Sequence, residues 1–331
     1  MTTPIERVQV AIVGGGPAGI GAAVQLSRLG VGPVVIVERR AELGGMPARY
    51  KEKAGGVPTF LASPVGPVVF GEVLARRLRA RLATTDTRVW LESQVTGIRP
   101  EKVQLTVVGP AVGRVQVRAD AVILACGARE SSPAERGLMS GRRSARRFFT
   151  KNIVDWIDRH GCLPAARPMI LGSDVLGYAA AAKLRSAGAQ TPIVCAEGSR
   201  PSSHVWQRLY FRRWVKPQFR GGLGRCGAAI GASPATPSSS ASDAAADPAA
   251  CDGLILSSQL VPNSELAMSA GLAMQPGSRQ LEAAANGALS QPGWFAAGAI
   301  LGGFHGAHWC RGNGVKVARA VVRYLREHSP G

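Results

Sequence analysis

The segment Gly14-Gly-Gly16-Pro-Ala-Gly19 constrains this chain more than any other stretch. It follows at once on Val8-Gln-Val-Ala-Ile-Val13, an apolar run with the length of a buried strand. It leads into Ile20–Leu29, which reads as a helix closed by Gly30. In that order each glycine has a separate task. Gly14 permits a tight turn, Gly16 lets a diphosphate approach the backbone, and Gly19 lets the helix lie close on the strand. Pro17 and Ala18 stand inside the same turn. Backbone N–H groups at the helix start then face an anion, supported by the helix dipole. A second strand, Val34–Val37, ends in Glu38, whose carboxylate can accept the hydroxyl hydrogens of an adenosine ribose.

The 331 residues leave room for roughly two domains. Hydrophobic residues make up 46% and charged residues 18%, an ordinary globular composition. The formal net charge of +19 raises the question of nucleic acid. No zinc spacing, basic helix or stacking platform accompanies it, so nucleic acid is not expected as a partner. An arginine bias, a docking face for an acidic partner or attraction of anionic cofactors accounts for the charge. The six cysteines are scattered, with no C-x-x-C pair and no metal-ligand spacing. No signal peptide fits, and no apolar run reaches the ~20 residues of a membrane span. These features predict a cytoplasmic protein with free thiols and no bound metal.

Further segments extend the pattern. Glu38-Arg39-Arg-Ala-Glu-Leu-Gly44-Gly45-Met46 places a double-glycine turn shortly after the acidic strand end. Arg88–Ile98 reads as a strand centred near Val95. Val103, Leu105 and Val107, then Val115 and Val117 beyond a Gly109–Gly113 loop, alternate as a β-hairpin does. Ala119–Ala128 is an apolar strand ending in Ala125-Cys126-Gly127. Near the C-terminal end, Gly293-Trp-Phe-Ala-Ala-Gly298-Ala299 precedes His305-Gly-Ala-His308-Trp-Cys310-Arg-Gly-Asn313-Gly and a helix over Val315–Leu325.

Together these segments resemble flavoproteins with two dinucleotide-binding domains, the relatives of the pyridine nucleotide-disulfide reductases. The resemblance implies an α/β fold in which a FAD-binding Rossmann-like domain carries an inserted second Rossmann-like domain. It divides the chain into 1–135 as the first part of the FAD-binding domain, 136–251 as the inserted domain and 252–331 as the second part. FAD is the implied cofactor, held by Gly14, Gly16, Pro17, Ala18, Gly19, Glu38, Arg39, Gly45, Met46, Val95, Cys126, Gly127, Gly298, Ala299, Asn313 and Val315. Two positions depart from the family pattern. Cys126 stands where threonine is usual and reads as a small buried substitute for it. Ala299 stands where an aspartate is usual.

In the inserted part, strand Pro168–Leu171, the turn Gly172-Ser-Asp174-Val-Leu-Gly177, helix Tyr178–Ser186 and strand Pro192–Ala196 ending at Glu197 repeat the dinucleotide pattern. Asp174 replaces the middle glycine. Gly172, Asp174, Gly177 and Glu197 are therefore candidates for NADH or NADPH, or else belong to a unit that keeps the packing and binds nothing. Residues 221–252 include a Ser/Pro/Ala stretch that reads as a flexible surface loop.

The absence of a cysteine before Cys126 argues against disulfide reductase chemistry. Ala125–Glu130, Arg136–Arg142, Phe149-Thr150, Leu163-Pro164 and Ile170–Ser173 resemble a different branch, the FAD subunits of opine and sarcosine oxidases and of hydrogen cyanide synthase. That likeness implies hydride or electron transfer through flavin N5, between NAD(P)H or an amine-type small molecule and an acceptor. It also implies a partner oxidoreductase subunit or a ferredoxin-like protein. An iron–sulfur centre, where one is used, is expected on that partner. The alternative is a non-catalytic subunit that holds FAD for an assembly. His305, His308 and Cys310 are candidate proton donors or substrate contacts, expected on a loop near the flavin. The segments Arg142–Arg147 and Arg208–Arg220 are candidate interaction faces.

Overall fold

The computed structural model describes residues 3–49, 58–60, 68–136, 147–190, 193–195, 252–257, 259–303 and 305–328. Two compact units result. The first comprises Met1–Ala48, Thr59–Arg129 and Leu260–Gly331; the second comprises Arg49–Pro58 and Glu130–Gln259.

In the first unit, β1 (Ile5–Val13) lies parallel to β2 (Val34–Val37) on one side and to β8 (Gly113–Leu124) on the other. β2 is followed outward by β5 (Arg88–Trp90), also parallel. Alternate residues of β1 serve different faces, as the two-residue period of a strand requires. Val10 and Ile12 pack with α1 (Pro17–Arg28), α2 (Gly71–Leu82) and α6 (Ala307–His328). Val8, Ala11 and Val13 pack with the cluster that holds Val95, Leu105 and Trp294 on the other face. The apolar run at the start of the chain is thus buried on both sides, as expected of a central parallel strand.

β8 does two jobs. Its first half closes a hairpin with β7 (Gln104–Gly109), pairing Val115 with Val107 and Val117 with Leu105. Its second half runs beside β1 and ends at Leu124, pairing on its other edge with β15 (Trp294–Ala296). β6 (Gln94–Arg99) completes the antiparallel meander against β7. Arg88–Ile98 is therefore not one strand. The chain turns at Leu91-Glu92, with Glu92 at a φ of 51°, and β5 and β6 pair with different partners.

The second unit holds four parallel strands in the order β10 (Arg147–Phe149), β13 (Gly253–Leu256), β11 (Pro168–Leu171) and β12 (Ile193–Cys195). Helices α3 (Thr150–His160) and α4 (Val175–Ser186) belong to it, tied by the ion pair of Lys183 with Asp158. β13 had been expected to return the chain to the first domain at residue 252. Its pairing with β10 and β11 puts it in the second sheet, so the return falls at Leu260. Two short pairs, β3 (Pro58–Phe60) with β4 (Val68–Phe70) and β9 (Ala128–Glu130) with β14 (Leu260–Pro262), complete the described strands. Helix α5 (Glu265–Ser269) follows β14. No described helix is long and apolar enough to cross a membrane.

Candidate dinucleotide site

The first glycine turn shows why each glycine is required. Gly14 has a φ of +111°, and a Cβ there would lie 2.4 Å from the Ala125 carbonyl oxygen. A Cβ on Gly19 would lie 2.0 Å from the Gly14 carbonyl oxygen, so α1 rests directly on the turn. Gly16 differs from both. It is the N-cap of α1, at φ −79° and ψ −176°, and no side chain caps the helix. The nearest atom to a Cβ on Gly16 is the Gly45 Cα, at 3.9 Å. Nothing forbids a side chain there except what the space is for.

Gly45 forms the facing wall. It has a φ of +63°, and its own Cβ would come 3.0 Å from the Gly16 Cα. The neighbouring Gly44 N–H donates to the Gly15 carbonyl at 2.8 Å, which locks the two turns together. Met46 opens a short 3-10 turn beyond them, Met46–Arg49. Glu38 is 6% exposed and braces the arrangement. Its Oε2 accepts from the Gly15 N–H at 2.7 Å and its Oε1 from the Arg40 N–H at 3.0 Å. Each carboxylate oxygen keeps a second acceptor direction, so this bracing leaves capacity for hydroxyl donors. The Ser93 N–H donates to the Glu38 carbonyl at 3.0 Å, which brings the start of β6, and Val95 two residues on, to the same strand end.

At the end of β8 the Ala125 N–H donates to the Val13 carbonyl at 2.8 Å, and Gly127 turns at a φ of +70°. Asn263 pins this turn, its Nδ2 donating to the Cys126 carbonyl at 2.8 Å and its N–H to the Gly127 carbonyl at 3.0 Å. The sequence reading gave Asn263 no role. A polar residue directly after Val261-Pro262 was the available signal. Burial pushes the Cys126 thiol up to about 12, and its Sγ points at the Val13 carbonyl 3.7 Å away. This thiol stays protonated at neutral pH and fills space, as a threonine substitute would.

The closing motif departs from expectation in one respect. α6 begins at Ala307, not Val315, so His308, Cys310 and Asn313 are helical rather than on a loop, while Val315 is helical as expected. The residues Gly312-Asn-Gly314 read as loop by propensity, yet packing overrides propensity here. A Cβ on Gly314 would lie 2.0 Å from the Ala18 carbonyl oxygen, and one on Gly21 would lie 2.6 Å from the Arg311 carbonyl oxygen. Close contact between α1 and α6 therefore needs these glycines in the helices. Asn313 Oδ1 accepts from the Gly298 N–H at 2.7 Å, tying α6 to the turn where Gly298, at a φ of +81°, and Ala299 stand.

His305 precedes the helix, and its ring stacks on Trp309 at 3.7 Å between centroids with 16° between planes. Burial lowers the pKa of both His305 and His308, and the Arg311 charge lowers His308 further. His308 Nδ1 is buried without a hydrogen-bond partner among the described residues. Burial pushes the Cys310 thiol up to about 11, and its Sγ lies 3.9 Å from the His305 carbonyl oxygen. The described residues hold no cluster of three or more His, Cys, Asp or Glu side chains able to bind a metal.

The second glycine turn keeps the same scaffold. Gly172 has a φ of +120°, and a Cβ on Gly177 would lie 2.6 Å from the Gly172 carbonyl oxygen. Ser257 N–H donates to the Leu171 carbonyl at 2.7 Å, as Ala125 does to Val13. Asp174 is the N-cap of α4, at φ −81° and ψ 175°, and is 5% exposed. Its Oδ1 accepts from the Gly177 N–H at 2.8 Å and from the Ser257 hydroxyl. Glu130 holds the start of α3. Its Oε1 accepts from the Thr150 N–H at 3.2 Å and from the Thr150 hydroxyl, and its Oε2 from the Lys151 N–H at 3.4 Å. Burial pushes Glu130 up to about 7, with a smaller contribution from the nearby Asp174 charge. Glu197 and Arg208–Arg220 lie outside the described residues, as do 142–146 of the other basic segment.

Two Rossmann-type units, one with an open glycine cradle and an acidic strand end, define a protein of the two-dinucleotide-fold class. Residues 8–208 match the family model described as pyridine nucleotide-disulphide oxidoreductase, more than half of the 331 residues, and the chain belongs to that family. No curated protein sequence matches the chain. Among solved structures, thioredoxin reductase of T. acidophilum is similar at a TM-score of 0.68 and 15% identity, covering 98% of this chain and 100% of that one. L-proline dehydrogenase of P. horikoshii is similar at a TM-score of 0.65 and 19% identity, covering 100% of this chain and 58% of that one. An NAD-dependent persulfide reductase of A. fulgidus is similar at a TM-score of 0.63 and 16% identity, over 95% of this chain and 58% of that one. These likenesses establish the shared α/β fold.

Proposed function

We propose that the chain is a FAD-dependent oxidoreductase acting on a small amine-type molecule, together with a partner oxidoreductase subunit or a ferredoxin-like acceptor. The observation that carries this reading is the facing pair Gly16 and Gly45, a backbone-walled cradle at an uncapped helix start with Glu38 beside it. FAD, when bound, supplies hydride or electron transfer at the flavin ring. The chain's own residues bind and orient it. The N–H groups of Gly16, Ala18 and Gly19 would receive the diphosphate, with the α1 dipole behind them, since those of Gly14 and Gly15 already donate to the Val37 carbonyl and to Glu38. Glu38 receives the ribose, and Val95 the adenine. Gly45, Met46, Gly127, Gly298 and the start of α6 line the path toward the flavin end.

Thiol chemistry is not assigned to the half-buried Cys126 or the buried Cys310, whose thiols are both held above the ordinary range. His305 before α6 and His308 in its first turn are the candidates to accept or return a proton. Such a protein works in a reducing compartment such as the cytoplasm, where its thiols stay reduced.

The test is the purified protein itself. It is expected to be yellow, and acid or heat denaturation is expected to release FAD at one equivalent per chain. Release of FMN, or a preparation that stays colourless after incubation with FAD, contradicts the assignment.

A further inference from the structure

We propose that the second glycine turn is closed to nicotinamide dinucleotides by the chain's own carboxylates, so that NADH and NADPH do not bind this protein. The family name and the strand–turn–helix repeat both lead one to expect such a nucleotide there. The residues present do not fit it.

Position by position the two turns correspond. Gly172 and Gly14 share a positive φ, and Gly177 and Gly19 each rest against the carbonyl of that first glycine. Asp174 and Gly16 are both N-caps with the same extended backbone, φ −81° and ψ 175° against φ −79° and ψ −176°. One side chain separates them. At the first turn no side chain caps the helix. At the second, the Asp174 carboxylate accepts from Gly177 N–H, the donor that corresponds to Gly19 N–H at the open turn. It also accepts from Ser257, so swinging it out would leave two buried donors unpaired. A diphosphate arriving at α4 would meet this charge at contact distance in a buried setting, where like charges repel strongly. The neighbouring helix start offers no alternative, because Glu130 takes the Thr150 and Lys151 N–H groups of α3. Among the described residues of the second unit, the starts of α3 and α4 are thus both held by carboxylates.

The experiment is an anaerobic titration of the purified protein with NADH and with NADPH. Nicotinamide fluorescence reads binding, and visible absorbance reads flavin bleaching. No saturable binding through the millimolar range and no bleaching are expected; saturable binding in the micromolar range would overturn the proposal. Asp174→Gly is expected to leave the Gly177 N–H and the Ser257 hydroxyl without their acceptor, with a Tm lower by roughly 2–4 °C. It is also expected to bind NADH or NADPH saturably. A Tm equal to that of the unaltered protein, or a folded variant as inert to both nucleotides as its parent, counts against Asp174 as the plug. Should the variant not fold, the titration of the unaltered protein still decides. Flavin content is read before nucleotide is added, so a colourless preparation counts against the FAD assignment and leaves the fluorescence titration interpretable.

Discussion

The turn at Gly14–Gly19 and the turn at Gly172–Gly177 are the same backbone put to opposite uses. In each, a strand runs into a glycine of positive φ, and a helix settles on the carbonyl of that glycine. Where the middle residue is Gly16, no side chain caps the helix; where it is Asp174, the carboxylate caps it from within. Packing and binding are therefore separable properties of this motif. The first and last glycines serve packing. On the reading proposed above, the middle one decides whether an anion enters.

The largest expected effect tests the packing half of that comparison. Gly19→Val and Gly177→Val each force a side chain onto a carbonyl, at 2.0 Å and 2.6 Å respectively. Each is expected to destabilise by more than ~3 kcal/mol, read as loss of soluble protein or a lowered urea midpoint. A well-folded variant at either position would break the equivalence of the two turns.

A smaller effect sharpens the electrostatic half. Glu130 is raised to about 7 from an ordinary 4.5, so between those values the folded state binds a proton that the unfolded chain has released. Its contribution to stability therefore falls as pH rises from about 4.5 to about 7, then stays flat. Glu130→Gln removes this dependence. Its unfolding free energy relative to the unaltered protein is expected to improve between pH 5 and pH 8, by roughly 2–3 kcal/mol read from urea midpoints. A difference that does not vary with pH would place Glu130 elsewhere than in a desolvated cap.

The smallest effect concerns reactivity. Cys126 is half-buried and Cys310 buried, both with raised pKa values, whereas Cys162 is exposed. Peptide mapping after brief iodoacetamide treatment at pH 8 is expected to find Cys162 modified well before the other two. Rapid labelling of Cys126 would reopen thiol chemistry beside the first turn.

How much of this was legible before the structure depended on whether a residue's task is set by the backbone or by a distant partner. Gly14, Gly16 and Gly19 were readable because a tight turn, an open approach and a close helix are local demands. The hairpin over 104–117 was readable because Leu105, Val107, Val115 and Val117 alternate. Asn263 was not, since its partners, Cys126 and Gly127, stand far back in the chain. The early start of α6 was hidden by Gly312 and Gly314, which look like loop until Ala18 is seen against Gly314. Gly253-Leu-Ile-Leu256 announced a strand but not its sheet, because an apolar run carries no address. Asp174 was noticed as a replaced glycine. That its carboxylate folds back onto Gly177 depended on Ser257, which a sequence reading had no reason to place beside it.

The account stands or falls on the middle position, and grafting one turn's residue onto the other tests it most directly. Gly16→Asp places in the first turn the side chain that closes the second, in space where a Cβ meets nothing closer than 3.9 Å. Equilibrium titration of the apoprotein with FAD, followed by flavin fluorescence quenching, is expected to show at least ~100-fold weaker binding than the unaltered chain, with Tm unchanged or raised by the new cap. FAD binding of undiminished affinity in a folded Gly16→Asp protein would contradict the claim that this glycine receives the diphosphate.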